Sequence, residues 1–85
     1  MSIDMTFVHA QERVRTLRKA PSNADLLELY ALYKQASVGD VEGPRPGVVD
    51  FVGRAKFDAW AGKKGIARHA AMERYVALVQ RLLID

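Results

Sequence analysis

The chain has 85 residues, 49% of them hydrophobic and 27% charged, an ordinary globular balance that excludes a disordered chain and a two-domain enzyme. No apolar run approaches the ~18 residues needed to span a bilayer, and the lack of cysteine excludes disulfides and thiolate chemistry. The net charge of +3 is uneven, because residues 1–42 carry 5 basic and 6 acidic side chains while residues 43–85 carry 8 and 4, an asymmetry that suits an anionic partner.

Phe7, Ala10, Val14 and Leu17 recur at steps of three, four and three, which predicts a first helix with Asp4 as N-cap. Pro21 forces Ala20 out of the α region, so this helix is expected to stop near Lys19. Ser22 followed by Asp25 is a capping-box-like start for a second helix, and the Asp25 carboxylate favours the positive helix end. Leu26, Leu27, Leu29, Tyr30, Leu32, Tyr33 and Ala36 make this helix apolar around most of its circumference, which predicts packing on two sides, and Gly39 ends it.

Residues 39–52 read GDVEGPRPGVVDFV, whose three Gly and two Pro cannot sustain a helix. A loop this long in so small a domain usually carries function, and Val48, Val49 and Phe51 are expected to fold it back onto the helices. A short third helix is predicted over about 53–63, with Phe57 and Trp60 on one face and Gly62 and Gly65 bracketing its end. In the fourth, Met72, Tyr75, Val76, Val79, Leu82 and Leu83 trace an amphipathic stripe. No segment alternates as a strand would, so the fold class is all-α, four helices in a single domain over 1–85. Residues 1–4 lack a basic stretch leading into an apolar one, and the expected setting is cytoplasmic.

A catalytic reading needs a nucleophile, a base and an orienting group, and the chain supplies no such set. His9 and His69 lie in different helices, and no metal-binding or phosphate-loop motif is present. A binding protein that is not an enzyme, and that uses no metal or cofactor, is therefore expected. The informative group is Tyr30, Tyr33 and Lys34, which helical geometry gathers within about 100° of one face. Two aromatic rings beside an ammonium suit a nucleotide, because a base stacks on a ring while the cation meets a phosphate. Spacing alone leaves open that both tyrosines are core residues with their hydroxyls at the rim. Nucleic acid is disfavoured as a partner, since the basic residues of the second half are scattered and form no recognition helix. A helical protein-interaction module, docking a partner helix through Leu29, Leu32 and the long loop, is the alternative.

The run LYALYKQASVGD (29–40), followed by RPGVVDFVGRAKFDAW (45–60), resembles the acyl-CoA-binding protein family, whose pattern reads Y-x-x-Y-K-Q-A-x-x-G-D, then R-P-G-x-x-D-F, then A-K-(W/F)-D-A-W. The likeness covers about 7–82 without gaps. It implies a four-helix, up-down-down-up bundle with a long loop between helices 2 and 3, a monomer that carries long-chain fatty acyl-CoA without transforming it and without inserting stably into membranes. It further implies that Tyr30, Lys34 and Lys56 hold the ribose 3′-phosphate, that Tyr33 stacks on adenine, that Arg15 and Tyr75 match two further acyl-CoA-binding positions, and that Phe7, Ala10 and Val14 line the acyl groove. Three departures from the pattern stand out. Val52 replaces a common lysine, implying one phosphate contact fewer. Ala67 replaces a polar N-cap ahead of Arg68 and His69, implying a frayed start to helix 4. Lys63 replaces an apolar residue, and its amine is expected to reach water.

Overall fold

The structure is a computed structural model that describes residues 2–84. Its four α-helices are α1 (Ile3–Arg13), α2 (Asn23–Ser37), α3 (Phe51–Ala61) and α4 (Arg68–Ile84), with a 3-10 turn at Val14–Thr16, and no strand occurs among the described residues. Helix direction follows from the pairs that meet. Arg68 reaches the carbonyls of Ala36 and Ser37 while Arg81 pairs with Asp25, so α4 runs antiparallel to α2. Lys56 lies against Tyr30 and Trp60 against Lys34, so α3 runs parallel to α2. Phe7 meets Tyr75 on α4, while Arg13 and Leu83 line a common crevice further along, so α1 and α4 are parallel. The bundle is therefore up-down-down-up, as the resemblance implied.

The core consists of Phe7 and Ala10 from α1, Leu29, Leu32 and Ala36 from α2, and Ala71, Tyr75 and Val79 from α4. Alanines at these contacts let the backbones approach closely. Helix α2 is central: one side packs on α4 and another on α3, which accounts for its broad apolar circumference. The molecule measures 39 × 28 × 15 Å, and its shortest dimension is little more than the diameter of one helix, about 10–12 Å. So thin a body cannot enclose every helix, and α3 contributes no fully buried residue.

Several local expectations are corrected. Ser2, not Asp4, caps α1: its hydroxyl accepts from the Met5 N–H at 3.3 Å, and Asp4 sits in the first turn. The α-helix also ends at Arg13, well before Lys19, where the Thr16 hydroxyl bonds the Arg13 carbonyl at 2.7 Å and the last turn tightens before Leu17 becomes extended. Helix α2 starts as predicted, with the Ser22 hydroxyl accepting from Asp25 N–H at 3.1 Å, and it stops at Gly39, whose φ of 101° is open to glycine at little cost. Helix α3 begins two residues early because Asp50 caps it by accepting from Gly53 N–H at 2.9 Å.

Val48, Val49 and Phe51 do not fold back onto the bundle: they are 69%, 86% and 77% exposed. Polar contacts tether the loop instead. Asp40 accepts from Gly65 N–H and from the buried Gln35 amide, each at 2.8 Å, the Trp60 indole N–H donates to the Gly39 carbonyl at 2.8 Å, and Arg45 grips Asp58 with two bonds of 2.9 and 2.6 Å. The start of α4 is pinned, not frayed. The Arg68 guanidinium donates to the last carbonyls of α2, where a cation is favoured, so a residue unsuited to its own helix end completes another. The Lys63 amine does not reach for water either: its side chain is only 17% exposed and pairs with Glu28 at 2.7 Å.

Candidate functional site

Helices α2 and α3 lie parallel, and their facing residues form a ladder with a change of chemistry along it. At the first turns, Asn23, Leu26, Leu27, Phe51, Val52, Ala55 and Lys56 enclose a trough of about 380 Å³, within the range of small-molecule sites. Leu26, Phe51 and Val52 are exposed along it, an apolar surface that folding alone does not require.

One turn further on, the Lys56 ammonium lies over the Tyr30 ring, 5.2 Å from its centroid. Another turn on, the Lys34 ammonium lies 4.9 Å from the centre of the Trp60 ring. The indole is held in turn by its bond to the Gly39 carbonyl. Eight residues separate Leu26 from Lys34, about 12 Å along the axis. Among the described residues neither lysine has a carboxylate within ion-pair distance, whereas Arg45, Lys63 and Arg81 each do. Two ammonium groups steadied on aromatic faces, and without a counter-charge among the described residues, are free to meet an anion, since a cation–π contact orients the charge without neutralising it.

Beside them on the same helix face, the Tyr33 ring stacks against Phe7 with centroids 6.2 Å apart and planes at 29°, and the residue remains 40% exposed. Phe7 in turn meets the Tyr75 ring edge-on at 5.1 Å. Tyr75 is buried, and removal from water, with a smaller contribution from Tyr33, pushes its hydroxyl above the usual phenol range. It is thus a neutral packing group at neutral pH.

Of the residues singled out from sequence, Tyr30, Lys34 and Lys56 come together, and Tyr33, Tyr75 and Phe7 form an adjoining aromatic set. Phe7 and Ala10 are buried in the core, Val14 is half-buried beside it, and none of the three borders the α2–α3 trough. Arg15 is exposed on the 3-10 turn and makes no hydrogen bond or ion pair with the described residues. Sequence reasoning missed the trough walls and the role of Trp60 beneath Lys34. A signal existed: Leu26 and Leu27 add apolar surface away from the α4 side, and Phe51–Val52 follow directly on an N-cap.

A second groove, about 430 Å³ between α2 and α4, is floored by Leu32, Ala77 and Leu78. Its rim charges are largely satisfied by Arg81–Asp25 at 2.8 Å and Lys63–Glu28, leaving Arg74 as its one cation without an ion pair among the described residues. The α2–α3 side therefore sets unpaired positive charge beside open apolar surface, a combination that the α2–α4 groove largely lacks.

Comparison with known proteins bears on the family and the fold. The family model described as acyl CoA binding protein matches residues 4–79. An acyl-CoA-binding protein homolog of Manduca sexta is 49% identical over 84 residues, covering 98% of this chain and 93% of the relative. Homolog 1 of Caenorhabditis elegans is 48% identical over 79 residues, covering 93% and 92%. Among solved structures, acyl-CoA-binding protein 2 of Oryza sativa superposes with a TM-score of 0.93 at 40% identity, covering 98% of this chain and 92% of that one. The acyl-CoA-binding protein of Moniliophthora perniciosa superposes at 0.89 with 39% identity, covering 99% and 82%. A motif-bearing α2, a shared helix order and similarity over nearly the whole length place this chain in the acyl-CoA-binding protein family.

Proposed function

We propose that this protein binds medium- to long-chain fatty acyl-CoA esters and carries or buffers them without chemical change, as a monomeric cytoplasmic domain that needs no cofactor. The observation that carries this reading is the position of Lys56, which borders the apolar trough and stands on Tyr30 beside Lys34. One cleft thereby offers a hydrocarbon site and an anion site in direct continuity.

In this reading Lys34, Lys56 and the Tyr30 hydroxyl receive the 3′-phosphate, and Tyr33, backed by Phe7, offers its open face to adenine. Tyr75 braces Phe7 from the core side, and Arg15 contributes positive potential from the 3-10 turn. Phe7, Ala10 and Val14 support the aromatic set from beneath, and the acyl chain lies in the trough of Leu26, Leu27, Phe51, Val52 and Ala55. No described helix is long and apolar enough to cross a membrane, in keeping with a carrier that takes its cargo off the bilayer.

The tail dominates affinity. At about 0.8 kcal/mol per buried methylene, a sixteen-carbon chain has a gross burial term of about 12 kcal/mol, against about 1.5–3 kcal/mol for each charged hydrogen bond. Association costs lower the total but are similar for all chain lengths, so the trend survives them. Calorimetry with free CoA, acetyl-CoA and hexadecanoyl-CoA tests this: affinity rises steeply along the series, and equal binding of acetyl- and hexadecanoyl-CoA refutes it. Incubation with hexadecanoyl-CoA releases no free thiol.

A further inference from the structure

Val48 and Val49 occupy the two corner positions of a turn in which Asp50 N–H donates to the Gly47 carbonyl at 3.0 Å. Such corners are normally taken by Gly, Pro, Asn, Asp or Ser. Here they hold two β-branched apolar side chains, both exposed, so they contribute little to the core. Exposed apolar side chains at a turn whose own geometry does not call for them are a local inconsistency of the kind that functional positions carry.

The turn is held from both sides. Upstream, Arg45 is clamped by two bonds to Asp58 on α3; downstream, Asp50 caps the same helix through Gly53 N–H. The valines are thus presented in a fixed place, which lowers the ordering cost of using them as a contact surface. That place is defined relative to the trough. Phe51 and Val52 form the end remote from Lys56, and two residues span at most about 7 Å, so Val49 stands within that distance of Phe51.

We propose that the Val48–Val49 turn is a specificity-determining ledge for the hydrocarbon tail: a tail that enters past Lys56 and extends beyond Phe51 and Val52 is covered by these two side chains, whereas a shorter one ends before them. The inference rests on the binding reading above and adds a determinant of chain length to it. The occupant is the tail of the bound thioester because Val49 lies only two residues from Phe51, an exposed wall of the trough. A lipid surface is less suited to the ledge, since Glu42 and Asp50 flank it on the same loop and oppose an anionic bilayer.

The test is calorimetry with octanoyl-, dodecanoyl-, hexadecanoyl- and eicosanoyl-CoA on the wild type and on Val48→Ser/Val49→Ser. The expected result is binding about tenfold weaker for the longest tails, unchanged affinity for octanoyl-CoA and an unchanged melting temperature. Should the serine pair disturb folding, Val48→Thr/Val49→Thr keeps the shape and carries the same comparison. A uniform loss across all four ligands, or none, overturns the ledge while leaving the binding reading intact if the wild type still shows its rise with length. A wild type that binds none of them overturns both. A ledge serving a second copy or a bilayer would leave the length profile unchanged, with the double substitution abolishing self-association on sedimentation or flotation with phosphatidylcholine vesicles; either outcome overturns the assignment.

Discussion

Lys56 stands with its ammonium 5.2 Å from the centre of the Tyr30 ring while its stem closes the inner end of the apolar trough. One side chain therefore takes part in both halves of the cleft, and the halves can be separated by changing its chemistry. Lys56→Met retains an unbranched apolar stem and removes only the charge. Binding of hexadecanoyl-CoA should weaken by about 1.5–3 kcal/mol, with a reduced dependence on salt. An affinity within twofold of wild type, with folding confirmed by circular dichroism, would exclude Lys56 from the anion site. Lys34→Met should act similarly.

Tyr33 stacks on Phe7 and remains 40% exposed. Tyr33→Leu preserves bulk against Phe7 but deletes the stacking plane, and should cost about 1–3 kcal/mol of CoA-ester binding. Tyr33→Phe should cost much less. If the two variants lose affinity equally, the hydroxyl and not the ring face makes the contact.

Gly53 has a built-in reason to be glycine despite its ordinary helical φ. A Cβ there would stand 2.2 Å from the Asp50 carboxylate that caps α3. Gly→Ala within a helix normally stabilises by about 0.5–1 kcal/mol, whereas loss of an N-cap costs about 0.5–2 kcal/mol. Gly53→Ala should therefore be neutral to destabilising in the wild type and stabilising in an Asp50→Ala background. Chemical denaturation of the four proteins of this cycle measures the reversal, and additivity would rule out the clash.

The partners of the Lys63–Glu28 pair are unequal, because the lysine side chain is mostly buried and the glutamate is not. Glu28→Ala leaves a half-buried ammonium unpaired, whereas Lys63→Met replaces it with an apolar chain of similar length. Thermal melts should therefore show Glu28→Ala as the more destabilising change. The reverse order would mean that the Lys63 stem, not its charge, holds α3 to α2.

Asp40 joins the end of α2 to the α3–α4 connection. The Gly65 N–H, and next the Gln35 amide, hold its carboxyl below the ordinary 3.8, and Arg45 does the same for Asp58 through its hydrogen bonds. Both groups bind protons more weakly when folded, so their stabilisation is complete above about pH 4 and is lost as pH falls through the lower folded values. Melting temperature should decline as the pH falls below the ordinary carboxylate value of 3.8, and Asp40→Asn should flatten part of that decline. A variant whose acid limb matches the wild type would remove Asp40 as a contributor.

Much of the molecule was legible because it is local. The Ser22 cap, the Gly39 stop and the grouping of Tyr30, Tyr33 and Lys34 all follow from the 3.6-residue turn and from hydrogen bonds between near neighbours. What local pattern could not supply is the register of α2 against α3. That register brings Lys56 to Tyr30 and Lys34 to Trp60 and opens the trough between Leu26 and Phe51. It is held by contacts such as Trp60 to Gly39, 21 residues apart, and Gln35 to Ile66, 31 apart. The same long reach explains the corrected residues: Arg68 and Lys63 look misplaced beside their sequence neighbours and become explicable only against α2. Val48 and Val49 look like core residues by composition, but a body 15 Å thick leaves no interior at that corner to receive them. Hydrophobicity marks which side chains seek cover; only the packed arrangement of helices decides which of them find it inside the fold.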